Sequence, residues 1–170
     1  MPMATIALQQ VSSFYAQENS RRTLEKPIGL KFIASYISPD LLIRLKESCK
    51  EDLVYVWGSK AERSHQTYKM VNRNALVLFR RGSIIFKFGV VIEKTENPAL
   101  GENLWGKDRD GEPWSTIYFF ARLVDKTISA AKINAHLNRS PNDNWQGLVV
   151  LNMKESEKVN EFFRTQLNGL

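Results

Sequence analysis

The run Gly101-Glu-Asn-Leu-Trp-Gly106-Lys107-Asp108 reproduces the G-x-x-x-x-G-K portion of a phosphate-cradling loop. That chemistry needs a Ser or Thr hydroxyl at the next position to hold magnesium, and Asp108 sets a carboxylate beside the phosphates instead. It also needs the loop to open a helix, whereas the following GEPWSTIYFF reads as a strand. Nucleotide hydrolysis by this segment is therefore not expected. Asp108, Asp110 and Glu112 suggest a calcium loop, but the further ligands at fixed spacing and the terminal Glu are absent, so a surface turn is expected. His65 and His136 lie far apart, and Cys49 has no partner at zinc spacing. No G-x-S-x-G supports a nucleophile. Catalysis has no positive motif here, and neither a metal nor a cofactor is expected.

What remains is a set of aromatic side chains near positive charge. Tyr55 and Trp57 alternate along an apolar run and so point to one face, with Trp57 at its end immediately before Gly58-Ser59. Trp105 and Trp114 bracket a polar, charged loop, an unusual place for two indoles that serve only a core. Packing accounts for any one of these rings alone, because aromatic side chains usually supply buried area; Trp145, near the C-terminal helices, is expected in the core. Residues 60–94 carry eight basic residues (Lys60, Arg63, Lys69, Arg73, Arg80, Arg81, Lys87 and Lys94) against two acidic ones, and the rest of the chain carries sixteen of each sign. The whole net charge of +6 thus falls in one fifth of the chain. Such a strip is the footprint of a nucleic-acid binder, and it equally suits a solvated face of a basic protein. Aromatic faces beside it can stack an unpaired base, worth ~1–3 kcal/mol each.

Several elements must position these residues. Residues 5–17 read as a short helix and QENSRR as a loop. Ser38-Pro39-Asp40 supplies a cap, a first-turn proline and an acid ahead of LLIRLKESCK, a helix start. DLVYVW (52–57) reads as a strand and residues 60–71 as a helix. ALVLFRR and SIIFKFGVVIE form a hairpin across Arg81-Gly82. Asn97-Pro98 opens a polar connection to a strand over 114–124. Thr127 caps ISAAKINAHLN, NWQGLVVL is a short strand or buried turn, and Asn152 caps a helix that stops at Gly169. Strands in the middle with helices around them predict an α+β fold, a mixed sheet or small barrel buttressed by helices.

The chain has 170 residues, 43% hydrophobic and 25% charged, which suits one globular domain with a core that needs no disulfide. No stretch approaches the ~20 apolar residues of a membrane span, and no membrane partner is expected. The first residues lack the pattern of a secretory signal, and one cysteine cannot form an internal disulfide; both favour a cytoplasmic setting. Residues 1–25 are expected as an N-terminal arm and 26–170 as the domain.

The succession VYVWGSK, ALVLFRRGSIIFKFGVVIEKTENPAL and LWGKDRDGEPWSTIYFF, over residues 50–150, resembles the EVE and YTH branch of the PUA-like superfamily, most closely the N-terminal domains of McrB-type restriction GTPases. The resemblance implies a small twisted mixed β-barrel flanked by helices that turns a modified base into an aromatic cage. In YTH domains the first cage tryptophan ends a strand and small polar residues follow it, as in Trp57-Gly58-Ser59; Trp105 and Trp114 are both candidates for the second wall. The implied base-binding set is Tyr55, Trp57, Ser59, Trp105 and Trp114, and the implied phosphate-holding set is Lys60, Arg63, Lys69, Arg73, Arg80 and Arg81. The implied partner is methylated double-stranded DNA, with N6-methyladenine first and modified cytosine or methylated RNA as alternatives, together with a GTPase motor and a nuclease subunit. No motor lies within these residues, so the chain is expected to be a piece of a longer protein or a stand-alone relative.

Overall fold

The computed structural model describes residues 4–167, apart from the side chains of residues 62–65 and 165–167. Among the described residues nine strands form two sheets. The five-stranded sheet has the order β8-β5-β4-β1-β9, from β1 (Ile6–Gln10), β4 (Leu76–Arg81), β5 (Ile84–Val90), β8 (Leu123–Ser129) and β9 (Leu148–Val150). The four-stranded sheet has the order β2-β3-β7-β6, from β2 (Ile28–Gly29), β3 (Leu53–Ser59), β6 (Glu93–Glu96) and β7 (Thr116–Phe120). The first sheet is mixed, because β1 runs parallel to β4 and antiparallel to β9. The α+β class and the flanking helices match expectation, but the strands form two sheets instead of one closed barrel.

Alternation along the strands builds the layers. Ile6, Leu8, Leu78 and Ile85 point to one side of the first sheet, where α5 (Ala130–His136) and α6 (Met153–Leu167) cover them through Ile133, Val159 and Phe162. Their neighbours Ala7, Val77 and Phe79 point to the other side and meet Trp57, Tyr118 and Phe120 of the second sheet. The far side of that sheet, with Val54, Val56, Ile117 and Phe119, is closed by α2 (Pro39–Ser48) and α4 (Pro98–Trp105) through Leu41, Leu45, Leu100 and Trp105. Helix α2 starts as its sequence demands: Ser38 Oγ accepts from the Leu41 amide at 3.2 Å, with Pro39 in the first turn. Among the described residues no helix is long and apolar enough to cross a membrane.

Five local expectations fail for identifiable reasons. Residues 6–10, expected in a helix and in an arm, are a fully paired interior strand, because burial between β4 and β9 outweighs the helical preference of Ala, Leu and Gln. The expected loop QENSRR lies inside α1 (Phe14–Thr23). The polar connection after Asn97 contains α4, with the Asn97 side chain accepting from the Leu100 amide at 2.9 Å and Pro98 in the first turn. The strand expected over 114–124 is two strands that belong to different sheets, β7 and β8. Strand β8 also absorbs Thr127, which leaves Ser129 as the residue before α5.

Candidate nucleobase pocket

Trp57 stands near the end of β3 because the strand's last three residues are fastened to β7. Ser59 and Thr116 hydroxyls lie 2.8 Å apart, and Thr116 Oγ1 also donates to the Ser59 carbonyl at 2.9 Å. Gly58 between them is required by its surroundings. A Cβ there would sit 2.8 Å from the Thr116 carbonyl oxygen and 2.9 Å from the Trp105 ring. Trp105 in turn is anchored behind the strand, donating from Nε1 to Thr23 Oγ1 at 3.0 Å, which itself donates to the Val56 carbonyl at 2.6 Å.

Trp114 is held by its backbone. The Asn97 amide donates to the Ser115 carbonyl at 2.8 Å, and the Ser115 amide donates to the Ser59 carbonyl at 3.1 Å. Gly101 of α4 approaches so closely that a Cβ would fall 1.7 Å from the Trp114 carbonyl oxygen. The three indoles form a chain: Trp57 and Trp114 meet edge-to-face at 5.2 Å between centroids, and Trp105 and Trp114 at 5.5 Å. Trp57 is 1% exposed and Trp105 6%, while Trp114 is half-buried.

A pocket of about 760 Å³ opens beside Trp57 and Trp114, within the roughly 300–1,000 Å³ of small-molecule sites. Its walls come from four separated stretches: residues 9–16 at the end of β1 and the start of α1, residues 57–60, the loop residues 108–110 with Trp114, and residues 146–148. Three polar atoms of wall residues are buried without a partner: the Trp57 indole Nε1, Gln9 Oε1 and Gln10 Oε1. A buried donor or acceptor left without a partner is costly, and the same holds for Arg81 Nε, Tyr118 Oη and Asn160 Nδ2 away from the pocket.

The sequence-derived candidates divide accordingly. Trp57, Ser59, Trp114 and Lys60 line the pocket. Trp105 packs behind Gly58 and supports the wall, and Tyr55, two residues before Trp57 on the same face, packs half-buried into the core between the sheets. Lys60 pairs with Asp108 and, at 2.6 Å, with Asp110. Asp108 also shapes its own loop by accepting from the Asp110 and Glu112 amides at 2.9 and 3.3 Å. The Arg63 and His65 side chains lie outside the described residues.

Three of the other cations are engaged elsewhere. Arg80 is 5% exposed, donates to the Gly82 and Asp143 carbonyls at 2.8 and 2.6 Å, and lies over the Trp145 ring; burial pulls its pKa down against the opposing pull of Asp143. Arg81 donates to Ser20 and Glu25 and stacks on Phe86. Arg73 holds the Ile92 carbonyl and Glu93. Lys69 is exposed at the end of α3 (Ala61–Met70). Trp145 is in the core as expected, donating from Nε1 to Asn134 Oδ1 at 2.7 Å.

Sequence reasoning missed Gln9, Gln10, Phe14 and Tyr15, because it read their segment as one helix, and Arg109, because that arginine lies outside the basic strip. Arg109 is exposed on the pocket wall and has no ion-pair partner among the described residues. The GxxxxGK-like run also resolves structurally: Gly101 to Trp105 are helical, so no phosphate cradle forms there. Cys49 is buried, and burial, with the Asp52 charge second, pushes its thiol pKa up, which disfavours a thiolate.

No family model and no curated protein matches the chain. Among solved structures it is similar to the N-terminal domain of Thermococcus gammatolerans McrB bound to m5C DNA, with a TM-score of 0.72 and 19% identity over 96% of this chain and 99% of that one. It is also similar to the YTH domain of Zygosaccharomyces rouxii MRB1 in complex with N6-methyladenosine RNA, with a TM-score of 0.51 and 10% identity over 94% of this chain and 86% of that one. At these identities the likeness is one of architecture: the chain shares the overall α+β fold of these two domains.

Proposed function

We propose that this chain binds a methylated base, flipped out of duplex DNA, in the pocket beside Trp57 and Trp114, and performs no chemistry on it. The observation that supports this reading is the pocket of about 760 Å³ walled by Trp57 and the half-buried Trp114, with Ser59 and Lys60 beside them: indole faces on which a base can stack and which a methyl group can cover. Each newly buried carbon is worth roughly 0.8 kcal/mol, about a fourfold preference over the unmodified base, and an unfilled gap beside the unmodified base widens it. Extrusion costs a few kcal/mol, which stacking and backbone contacts offset. Lys60 and Arg109, the two cations of the wall, are the residues proposed to meet the flanking phosphates.

N6-methyladenine is the first reading, from the strand-end position of Trp57. Modified cytosine is the second, favoured by the higher fold similarity to a McrB domain whose bound DNA carries m5C. In either case the domain addresses marked DNA for a GTPase motor and a nuclease subunit carried elsewhere. One binding panel tests the reading: a single duplex carrying N6-methyladenine, 5-methylcytosine, 5-hydroxymethylcytosine or no mark. One marked duplex is expected to bind roughly four- to tenfold or more tightly than the unmarked one. Equal affinity across the panel overturns the proposal, and tighter binding to methylated single-stranded RNA than to every duplex moves it to RNA.

A further inference from the structure

Phe14 is the most exposed aromatic side chain among the described residues, at 73%, and its neighbour Tyr15 is 41% exposed. These two stand side by side on the wall of the pocket that holds Trp57 and Trp114. They meet each other edge-to-face at 5.7 Å. Their mount is firm. Ser13 Oγ accepts from the Ala16 amide at 3.1 Å, Gln17 Nε2 donates to the Ser12 carbonyl at 2.9 Å, and Ala16, Asn19, Ser20 and Thr23 bury the opposite side of α1.

A base that swings out of a duplex leaves an empty slot in the stack, and a flat apolar side chain presented at the mouth of the receiving pocket can occupy it. We propose that Phe14 enters the duplex at the vacated position, with Tyr15 bracing it, so that pocket and wedge act on the same nucleotide. This rests on the base-flipping reading above. It assigns Phe14 a positioning role that the pocket alone does not need.

Two duplexes separate the roles. In the first the methylated base is paired; in the second it is an unpaired bulge, which leaves no slot when extruded because its neighbours stack on each other. Binding is read by fluorescence anisotropy with N6-methyladenine or 5-methylcytosine, alongside unmodified controls of both shapes. Phe14→Ala is expected to weaken binding to the paired substrate about ten- to a hundredfold, to bind the bulge within about twofold of the unaltered protein, and to keep its melting temperature. Phe14→Leu is expected to recover much of the loss, since an aliphatic wedge also fills the slot. Equal losses on both substrates would mean that Phe14 serves only as a wall of the pocket, and unchanged affinity on both would make it a bystander; either result overturns the wedge. If the unaltered protein does not prefer a methylated base in either shape, the base-pocket reading fails, and the wedge fails with it.

Discussion

At the scale of single residues, Trp57 is the informative side chain: it lines the pocket, and its indole Nε1 is buried without a partner. A donor left unsatisfied in this way costs about 1–3 kcal/mol. Trp57→Phe removes it while keeping an aromatic ring against Phe79 and Trp114. The lost donor offsets part of the cavity that the smaller ring leaves, so the melting temperature is expected to change little. Affinity for the preferred methylated duplex is expected to fall about fivefold to a hundredfold, the value of the lost ring overlap with the base. A large drop in melting temperature with unchanged affinity would show that the indole serves only the core. Of the site's residues, Trp57 was legible because a strand-end aromatic followed by Gly and Ser is a local pattern. Gln9 and Gln10 were not, because nothing in IALQQ tells which distant strands it lies between.

The elements explain which parts of the fold could be read in advance. The hairpin β4–β5 and the helix α2 carry their instructions locally: β-branched and aromatic runs around Gly82 in one case, Ser38-Pro39 in the other. The same cap-and-proline signal stood at Asn97-Pro98, but the glycines and charges that follow resemble a loop, and α4 was missed. Strand β1 could not be found locally, since its partners are about 70 and 140 residues away. Helix α4 matters for the site, because its Gly101 lets it lie against the backbone that carries Trp114. Gly101→Ala would place a methyl group inside contact distance of the Trp114 carbonyl. A core that must shift to admit extra atoms typically loses about 1–3 kcal/mol. The variant is therefore expected to melt several degrees lower and to bind methylated DNA more weakly, although residue 101 does not line the pocket. Unaltered binding would mean that Trp114 is not held by α4.

For the whole molecule, the +6 charge proves to be spread over several surfaces although it is concentrated in sequence. Within the strip, Lys87 pairs with Asp125, Lys94 caps the α3 carbonyls over the Tyr68 ring, and Arg80 is committed to the interior. Proximity in sequence is a poor guide to a charged face when consecutive segments enter different sheets. Salt titrations distinguish the two kinds of arginine. Arg109→Ala is expected to lower the log–log salt slope of DNA binding by ~0.9, one phosphate contact, and to leave the melting temperature unchanged. Arg80→Ala is expected to lower the melting temperature, through loss of its carbonyl partners and of Trp145, with the slope intact. The reverse pattern would exchange their roles. The placement of β1 between β4 and β9 also has a consequence for synthesis on the ribosome. At ~5–20 residues per second, roughly 7–30 s separate the appearance of Gln9 from that of Leu148, its late neighbour across the sheet. During that interval the strand edge that β9 will cover keeps its N–H and C=O groups unpaired and open to pairing with other nascent chains, a hazard that ends only when β9 arrives.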